Sequence, residues 1–410
     1  MANRILTTHV GSLPRPDKLI AAAHERTVEG TDEAAFDKEL KGAVAEVVRK
    51  QKEAGIDLIN DGELGHTMGW AYDYGSWWSY VVRRLEGVEV VKHGLWKTPL
   101  KPVKGLAPND FQLGNWADRR DFNKFAEAYG DPQSGCNLPE QFMTHYSPVV
   151  SGPIKYKGQK AIQRDITNLK EALKTAGVKD GWMNAVAPAS CSRFASDYYK
   201  TEEELMYACA DAMREEYKAI IDAGFTLQLD DPAIGESWDQ SKGEPSVEGY
   251  RRYTQLCLDV LNYSIKGLPS DKIRFHLCWG SWHGPHSTDI PMKHLVDLML
   301  TVKADYYSFE AANARHEHEW KIWKDVKLPA GKKILPGVVT HSTNLIEHPE
   351  MVADRISRFA SVVGAENVIA STDCGLGGRV HPQIAWAKLK TLSEGAALAS
   401  KQLFGARAAA

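Results

Sequence analysis

The sequence predicts an α/β fold, a single (β/α)8 TIM barrel, and three observations lead there. The chain has 410 residues and is 43% hydrophobic, enough to bury one large core. One pattern recurs along it: a helical stretch, a glycine, a short apolar strand and then an acidic residue, which is the punctuation of βα units. Read by that rule, the sequence holds eight strands alternating with helices, the number that closes a barrel.

Taken in order, residues 4–8 form the first strand and run into a loop in which Gly11 and Pro14 forbid regular structure. A helix over 31–54 follows, with Phe36, Leu40, Val44, Val47 and Val48 at helical spacing, and Gly55 ends it. The second strand, 56–60, leads into Asp61-Gly62-Glu63. Further strands are expected at 181–186, 225–229, 273–278, 305–310, 334–339 and 367–372. Helices are expected at 163–175, 215–223, 290–303, 351–363 and 381–404. Residues 64–180 are too many for a simple connection, so they are read as an insertion covering the barrel mouth within one catalytic domain, 1–410.

Composition narrows the function. A net charge of -3, from 50 basic and 53 acidic residues, gives no bias toward nucleic acid or anionic membrane. No apolar run is long enough to span a bilayer and the N-terminus is unlike a signal peptide, so a cytoplasmic protein is expected. The six cysteines are widely scattered, as suits a reducing compartment, and Cys136, Cys191, Cys209 and Cys257 read as structural thiols.

Barrel enzymes carry their chemistry at the C-terminal ends of the strands. Here those ends present Gly11 and Ser12, Glu63, Asp230 and Asp231, His276 and Cys278, Glu310, His341, and Asp373-Cys374. A packed core does not require so many polar groups, since burying them unpaired costs free energy. His276 and Cys278 stand two apart on one strand and so share a face. Zinc prefers nitrogen and sulfur ligands, three or four of them, and His276, Cys278, Glu310 and Cys374 converge on one rim as a set for Zn2+.

Four stretches then carry a family resemblance: Thr7-Thr8-His9-Val10-Gly11-Ser12-Leu13-Pro14-Arg15-Pro16, Leu229-Asp230-Asp231-Pro232-Ala233, His276-Leu277-Cys278 and Asp373-Cys374-Gly375-Leu376. In this order they resemble the catalytic barrel of cobalamin-independent methionine synthase and its single-barrel relatives, which include the epoxyalkane:coenzyme M transferases. The resemblance implies zinc on His276, Cys278, Glu310 and Cys374, and an amino thiol whose ammonium meets Glu63 and Asp230. It also implies a substrate carboxylate near Gly11 and Ser12, and proton transfer by His341. The family's third-strand segment carries a Trp on which a pterin stacks, whereas this chain reads Met183-Asn184-Ala185-Val186. The N-terminal barrel of full-length members is not expected either, so the methyl donor stays open between a methylfolate and a methyl-corrinoid.

The chemistry that follows is methyl or alkyl transfer to a small thiol such as homocysteine. A free thiol, with a pKa of about 8.5, is mostly protonated at neutral pH, and a metal binds it as the nucleophilic thiolate. Proton delivery to the departing group falls to His341 or Asp230. Addition of another thiol to an epoxide is the first alternative, and a zinc-containing barrel that only binds a ligand is the second. Trp70, Tyr72, Tyr74, Trp77, Trp78, Tyr80 and Trp96 either line a pocket for the electrophile, pack the insertion onto the barrel, or make an oligomer contact. His316 and His318, in Arg-His-Glu-His-Glu, read as a solvated helix start, and Glu63 and Asp230 have an alternative as helix N-caps.

Overall fold

In the computed structural model, the described residues are 4–26, 33–67, 76–92, 111–114, 118–136 and 146–405. Seven parallel strands form the main sheet in the order β1-β10-β9-β8-β7-β6-β4. They are β1 (Leu6–Thr7), β4 (Trp182–Val186), β6 (Thr226–Asp231), β7 (Ile273–Leu277), β8 (Tyr306–Phe309), β9 (Lys333–Val339) and β10 (Ile369–Thr372). Their cores read as near-continuous apolar runs because helices cover the outer face and side chains fill the inner one: every residue of β4, β7 and β10 is buried. The architecture is an α/β fold with a parallel half-barrel sheet.

The expected second strand, 56–60, is not a strand. It makes a single parallel bridge, Ile59 to Gly181, beside backbone bonds from Leu58 N to Thr7 O at 3.0 Å and from Trp182 N to Ile59 O at 3.1 Å. The cause lies in a side chain: the Asp57 carboxylate accepts from Thr7 N at 2.9 Å and from Arg4, taking the donor that a regular ladder would pair with a carbonyl.

The helices outside the sheet follow the apolar pattern. Glu33–Glu53 buries Phe36, Leu40, Val44, Val47 and Val48 and hands over to Gly55 in the left-handed region. Gln159–Ala176, Glu202–Asp222, Pro349–Val363 and Pro382–Phe404 stand where helices are expected. The expected helix 290–303 is a correction: the chain makes only a 3-10 turn, Met292–His294, and one helical turn, Val296–Met299. Glu319 Oε1 captures the Met292 amide at 2.7 Å and Arg251 captures the His294 carbonyl, so both groups are satisfied outside a helix.

The 64–180 region holds structure of its own. Strands β2 (Leu85–Lys92) and β3 (Tyr146–Tyr156) pair antiparallel, and β5 (Ala195–Ser196) adds in parallel to β3. Arg84, just before β2, is 3% exposed and pairs with Asp165 at 2.9 Å and Glu216 at 3.0 Å, pinning this sheet to the helices outside β4 and β6. Of the aromatic cluster, Trp70, Tyr72, Tyr74 and Trp96 lie outside the described residues, while Tyr80 is buried with its hydroxyl on Glu216. Among the described residues, no helix is long and apolar enough to cross a membrane.

Candidate metal and thiol site

Parallel pairing puts Asp230 of β6 beside His276 of β7, and His276 beside Ser308 of β8, in one register layer. Lateral neighbours in a parallel sheet point the same way, so strand register alone sets this part of the site. His276 is 2% exposed; its Nδ1 meets Ser308 Oγ at 3.2 Å, and its Nε2 is buried without a hydrogen-bond partner among the described residues. Cys278, one residue past the end of β7, brings its Sγ to 3.9 Å from Cys374 Sγ, and the Gly280 amide donates to Cys278 Sγ at 3.3 Å. Ligand atoms of His276, Cys278 and Cys374 all lie within 4.8 Å of one another.

The two sulfurs share a proton unequally. Cys374 is held well below the ordinary thiol range by the hydrogen bond from Cys278, with His276 adding to the effect, while Cys278 is pushed up by the same contact. Glu310 does not join this trio; its carboxylate groups with His341 and Asp373. It accepts from Trp279 N at 3.1 Å and Asn313 Nδ2 at 2.9 Å, and burial pushes it up to about 8. His341, 2% exposed, is driven down to about 3 by burial, so its ring is neutral, and its Nδ1 has no hydrogen-bond partner among the described residues.

A second constellation surrounds the acids. Glu63 sits in the left-handed region, φ 57°, a strained choice for a non-glycine residue. Asn184, on β4, donates through one Nδ2 to both Glu63 Oε1 and Asp230 Oδ2, the latter at 3.0 Å. Gln228 adds a bond to Asp230 Oδ1 at 2.8 Å. Burial and the charge of Asp230 push Glu63 up to about 8; burial pushes Asp230 up to about 6 against the pull of His276. The pair therefore holds a proton near neutrality, in a place suited to an ammonium group.

Neither acid's side chain caps a helix: Glu63 stands at the N-cap position of the 3-10 turn Leu64–His66 but makes no side-chain cap bond, and the residue at the N-cap of Pro232–Glu236 is Asp231. Gly11, at φ +148°, lies against the pair: an added Cβ would collide with Glu63 Oε1 and Asn184 Nδ2. The Ser12 hydroxyl receives Arg15 Nη1 at 3.1 Å, and its carbonyl accepts from Leu376 N and Gly377 N at 2.8 and 3.0 Å. The first strand's loop is thus docked on the loop that bears Cys374.

Asp373 has a role no spacing announced. Its Oδ1 accepts the amides of Ala311 and Ala312, each at 2.7 Å, and its Oδ2 accepts Asn313 Nδ2 at 3.2 Å. This ties the loop of Cys374 to that of Glu310. His316 corrects the solvated reading: it is 3% exposed, with Nδ1 on Glu319 at 2.8 Å and Nε2 on Asp289 at 3.2 Å, and only His318 is exposed. Asp289 also meets His286 Nδ1 at 3.1 Å.

Burial, the largest influence on both histidines, pulls their pKa down; the carboxylates outweigh it, raising His286 to about 9 and His316 to about 10. Raised folded pKa values give stability that is complete below the unfolded value of about 6.5 and is lost as pH climbs through 9 and 10. Urea unfolding should therefore show a loss of more than about 1.4 kcal/mol, one pKa unit's worth, between pH 7 and 10. The loss should shrink in Asp289→Asn; an unchanged slope in that variant would contradict the assignment.

Fold and site together define an α/β protein with a parallel half-barrel sheet, in which a cluster of soft candidate metal ligands stands next to a buried acid pair. The family described as "Cobalamin-independent synthase, Catalytic domain" matches residues 142–397, and the chain belongs to it. It is 22% identical to a methionine synthase of Sulfolobus acidocaldarius, with 97% of this chain and 93% of that protein covered. It is equally 22% identical to the 2-hydroxypropyl-CoM lyase of Xanthobacter autotrophicus, over 99% of this chain and 98% of that protein. Among solved structures, a B12-independent methionine synthase from Shewanella sp. W3-18-1 superposes with a TM-score of 0.69 at 20% identity, covering 98% of this chain and 99% of that one.

Proposed function

We propose that the chain is a zinc-dependent transferase that moves a methyl or other small alkyl group onto the sulfur of an amino thiol of the homocysteine type. One observation carries this: a nitrogen and two sulfurs from two segments distant in sequence, within 4.8 Å of each other, with His276 Nε2 buried and without a hydrogen-bond partner among the described residues. An imidazole turned by Ser308 so that its other nitrogen is left bare is what a metal ligand needs. His276, Cys278 and Cys374 would hold the metal, with Glu310 as an exchangeable fourth ligand. Bound zinc would keep a substrate sulfur as a nucleophilic thiolate at neutral pH.

The remaining steps belong to the chain. Glu63 and Asp230 receive the substrate ammonium, which replaces the proton they share. Gly11 leaves the room for it, and Ser12, backed by Arg15, receives the carboxylate. His341, neutral and buried, relays a proton: it takes up the one released by the substrate thiol and delivers it to the departing group, through a ring nitrogen with no hydrogen-bond partner among the described residues. Segment 56–60, bonded to β1 and to β4, supplies the eighth stave of a closed (β/α)8 barrel around this site.

The test is to incubate zinc-loaded protein with homocysteine or 2-mercaptoethanesulfonate, each against methyl donors and epoxides, and to read thioether products by mass spectrometry. Alkylated homocysteine is expected; product only from the sulfonate thiol and an epoxide would favour the lyase-type reaction, and no product with tightly held zinc would favour a ligand-binding barrel. Asp230→Asn should raise KM for the amino thiol about 10–100-fold, the worth of one hydrogen bond to a charged group. It should spare a thiol that lacks an amino group; equal losses for both would remove Asp230 from ammonium binding.

A further inference from the structure

Four loops around the site are laced together, and the lacing ends on a residue of the 64–180 region. Asp121, 1% exposed, spends both carboxylate oxygens on the loop that follows β7. Oδ2 accepts His286 N at 3.0 Å and Oδ1 accepts Ser287 N and Ser287 Oγ, each at 2.8 Å. Oδ2 also accepts the Tyr129 hydroxyl at 3.0 Å, and that hydroxyl in turn receives Trp282 Nε1 at 2.9 Å. The Arg119 guanidinium lies 4.3 Å over the Trp282 ring while pairing with Glu236 and Asp239. The fit is close: a Cβ at Gly284 would strike the Tyr129 hydroxyl.

The loop so gripped runs from Cys278 to Asp289. On its inner side Cys278 faces Cys374, Ser281 Oγ takes Arg379 Nε at 2.8 Å, and His283 Nε2 meets the His341 carbonyl at 3.3 Å. Its far end, His286-to-Asp289, continues through His316 to the loop of Glu310, which Asp373 joins to the loop of Cys374. His286 sits at φ +51°, a left-handed conformation that a non-glycine residue keeps only where its surroundings impose it. Asp121 imposes it, by holding the amides of residues 286 and 287.

We infer that Asp121, assisted by Tyr129, is a positioning residue for the metal and thiol site: from outside the barrel it fixes the Cys278–Asp289 loop in the conformation that turns Cys278 toward His276 and Cys374. This rests on the metal reading given above. Buried partners of ligand-bearing groups are typically worth about 10–100-fold in metal affinity. The action runs through the loop, so no contact between Asp121 and substrate is required.

The experiment compares Asp121→Ala, Asp121→Asn and Tyr129→Phe with the unaltered protein, using hydrogen exchange of the 278–289 amides and zinc affinity by competition with a chromophoric chelator, both well below the melting temperature. Asp121→Ala should speed exchange at His286 and Ser287 and weaken zinc binding by about 10–100-fold. Asp121→Asn, which keeps one acceptor oxygen, should recover part of both, and Tyr129→Phe should give a smaller shift in the same direction. Lower thermal stability with unchanged zinc affinity would overturn the inference, since that is all a merely structural residue would produce. If Asp121→Ala does not fold, Tyr129→Phe and Asp121→Asn decide on the same two readouts. If the unaltered protein binds no zinc, the metal reading falls separately, and unchanged exchange at residues 286 and 287 in the variants would still overturn the clasp.

Discussion

Cys374→Ser is expected to strip the protein of its metal and its turnover together. The Cys374 sulfur is the more acidic of the pair, held toward thiolate by the proton of Cys278 and by the His276 ring. A serine hydroxyl in that place does not ionise and is a harder donor, so the site keeps one nitrogen, one sulfur and the exchangeable Glu310, too weak a set to hold zinc tightly. Loss of a direct ligand should exceed the roughly 10–100-fold that outer partners cost, leaving near-zero zinc on purification and alkyl transfer lower by about a thousandfold or more. Metal analysis and thioether formation on the same preparation check both halves. Cys191→Ser supplies the control: Cys191 is buried, its sulfur is 3.7 Å from the Val186 carbonyl, and it lies outside the His276–Cys278–Cys374 trio, so zinc should be retained. Full turnover by metal-free Cys374→Ser would end the proposed mechanism.

The residues that sequence made legible are those whose position follows from period and strand order. Apolar runs such as Ile273–Leu277 reveal staves because both faces are covered, and the residues at their C-terminal ends then have only one place to go. His276, Cys278, Cys374 and Asp230 stand at strand ends and follow by that route, whereas Glu63 follows a segment that makes only an isolated bridge. Asn184 was not: an amide between Met183 and Ala185 has no spacing that announces a bridge between two acids, although its place on β4 puts it near them. His316 reads as solvated because its neighbours are charged, whereas its partner Asp289 stands 27 residues away. Segment 56–60 has a stave's composition, but Asp57 takes the place of a backbone acceptor. Residues 290–303 have a helix's apolar content, but Arg251 and Glu319 satisfy the backbone from outside. In each miss a long-range side chain overrode a local pattern.

The largest loss of stability is expected from Glu216→Ala. Glu216 is fully buried and accepts from the Tyr80 and Tyr156 hydroxyls and from Arg84 Nε at 3.0 Å, while Arg84 also binds Asp165 at 2.9 Å. Truncation leaves a guanidinium half-paired and two phenols with no acceptor in a buried interior, and breaking such a buried pair costs about 3–5 kcal/mol. Glu216→Gln, which retains an acceptor oxygen for the phenols, should lose less. Removing the cation as well, in Glu216→Ala with Arg84→Met, should restore part of the difference, because the penalty is mostly the stranded charge. Denaturant unfolding of the three proteins separates these cases, and a cost within about 1 kcal/mol for Glu216→Ala would mean that water already reaches the network. The effect should extend to the substrate side. Tyr80 packs at a tilt against His66 with ring centroids 4.2 Å apart, and a Cβ at Gly65 would strike the Asp165 carboxylate, so the network supports the turn that begins with Glu63. Glu216→Ala should accordingly raise KM for the amino thiol while leaving zinc content intact, the reverse of the Cys374→Ser result and a direct measure of how far the β2–β3 sheet governs the acid pair.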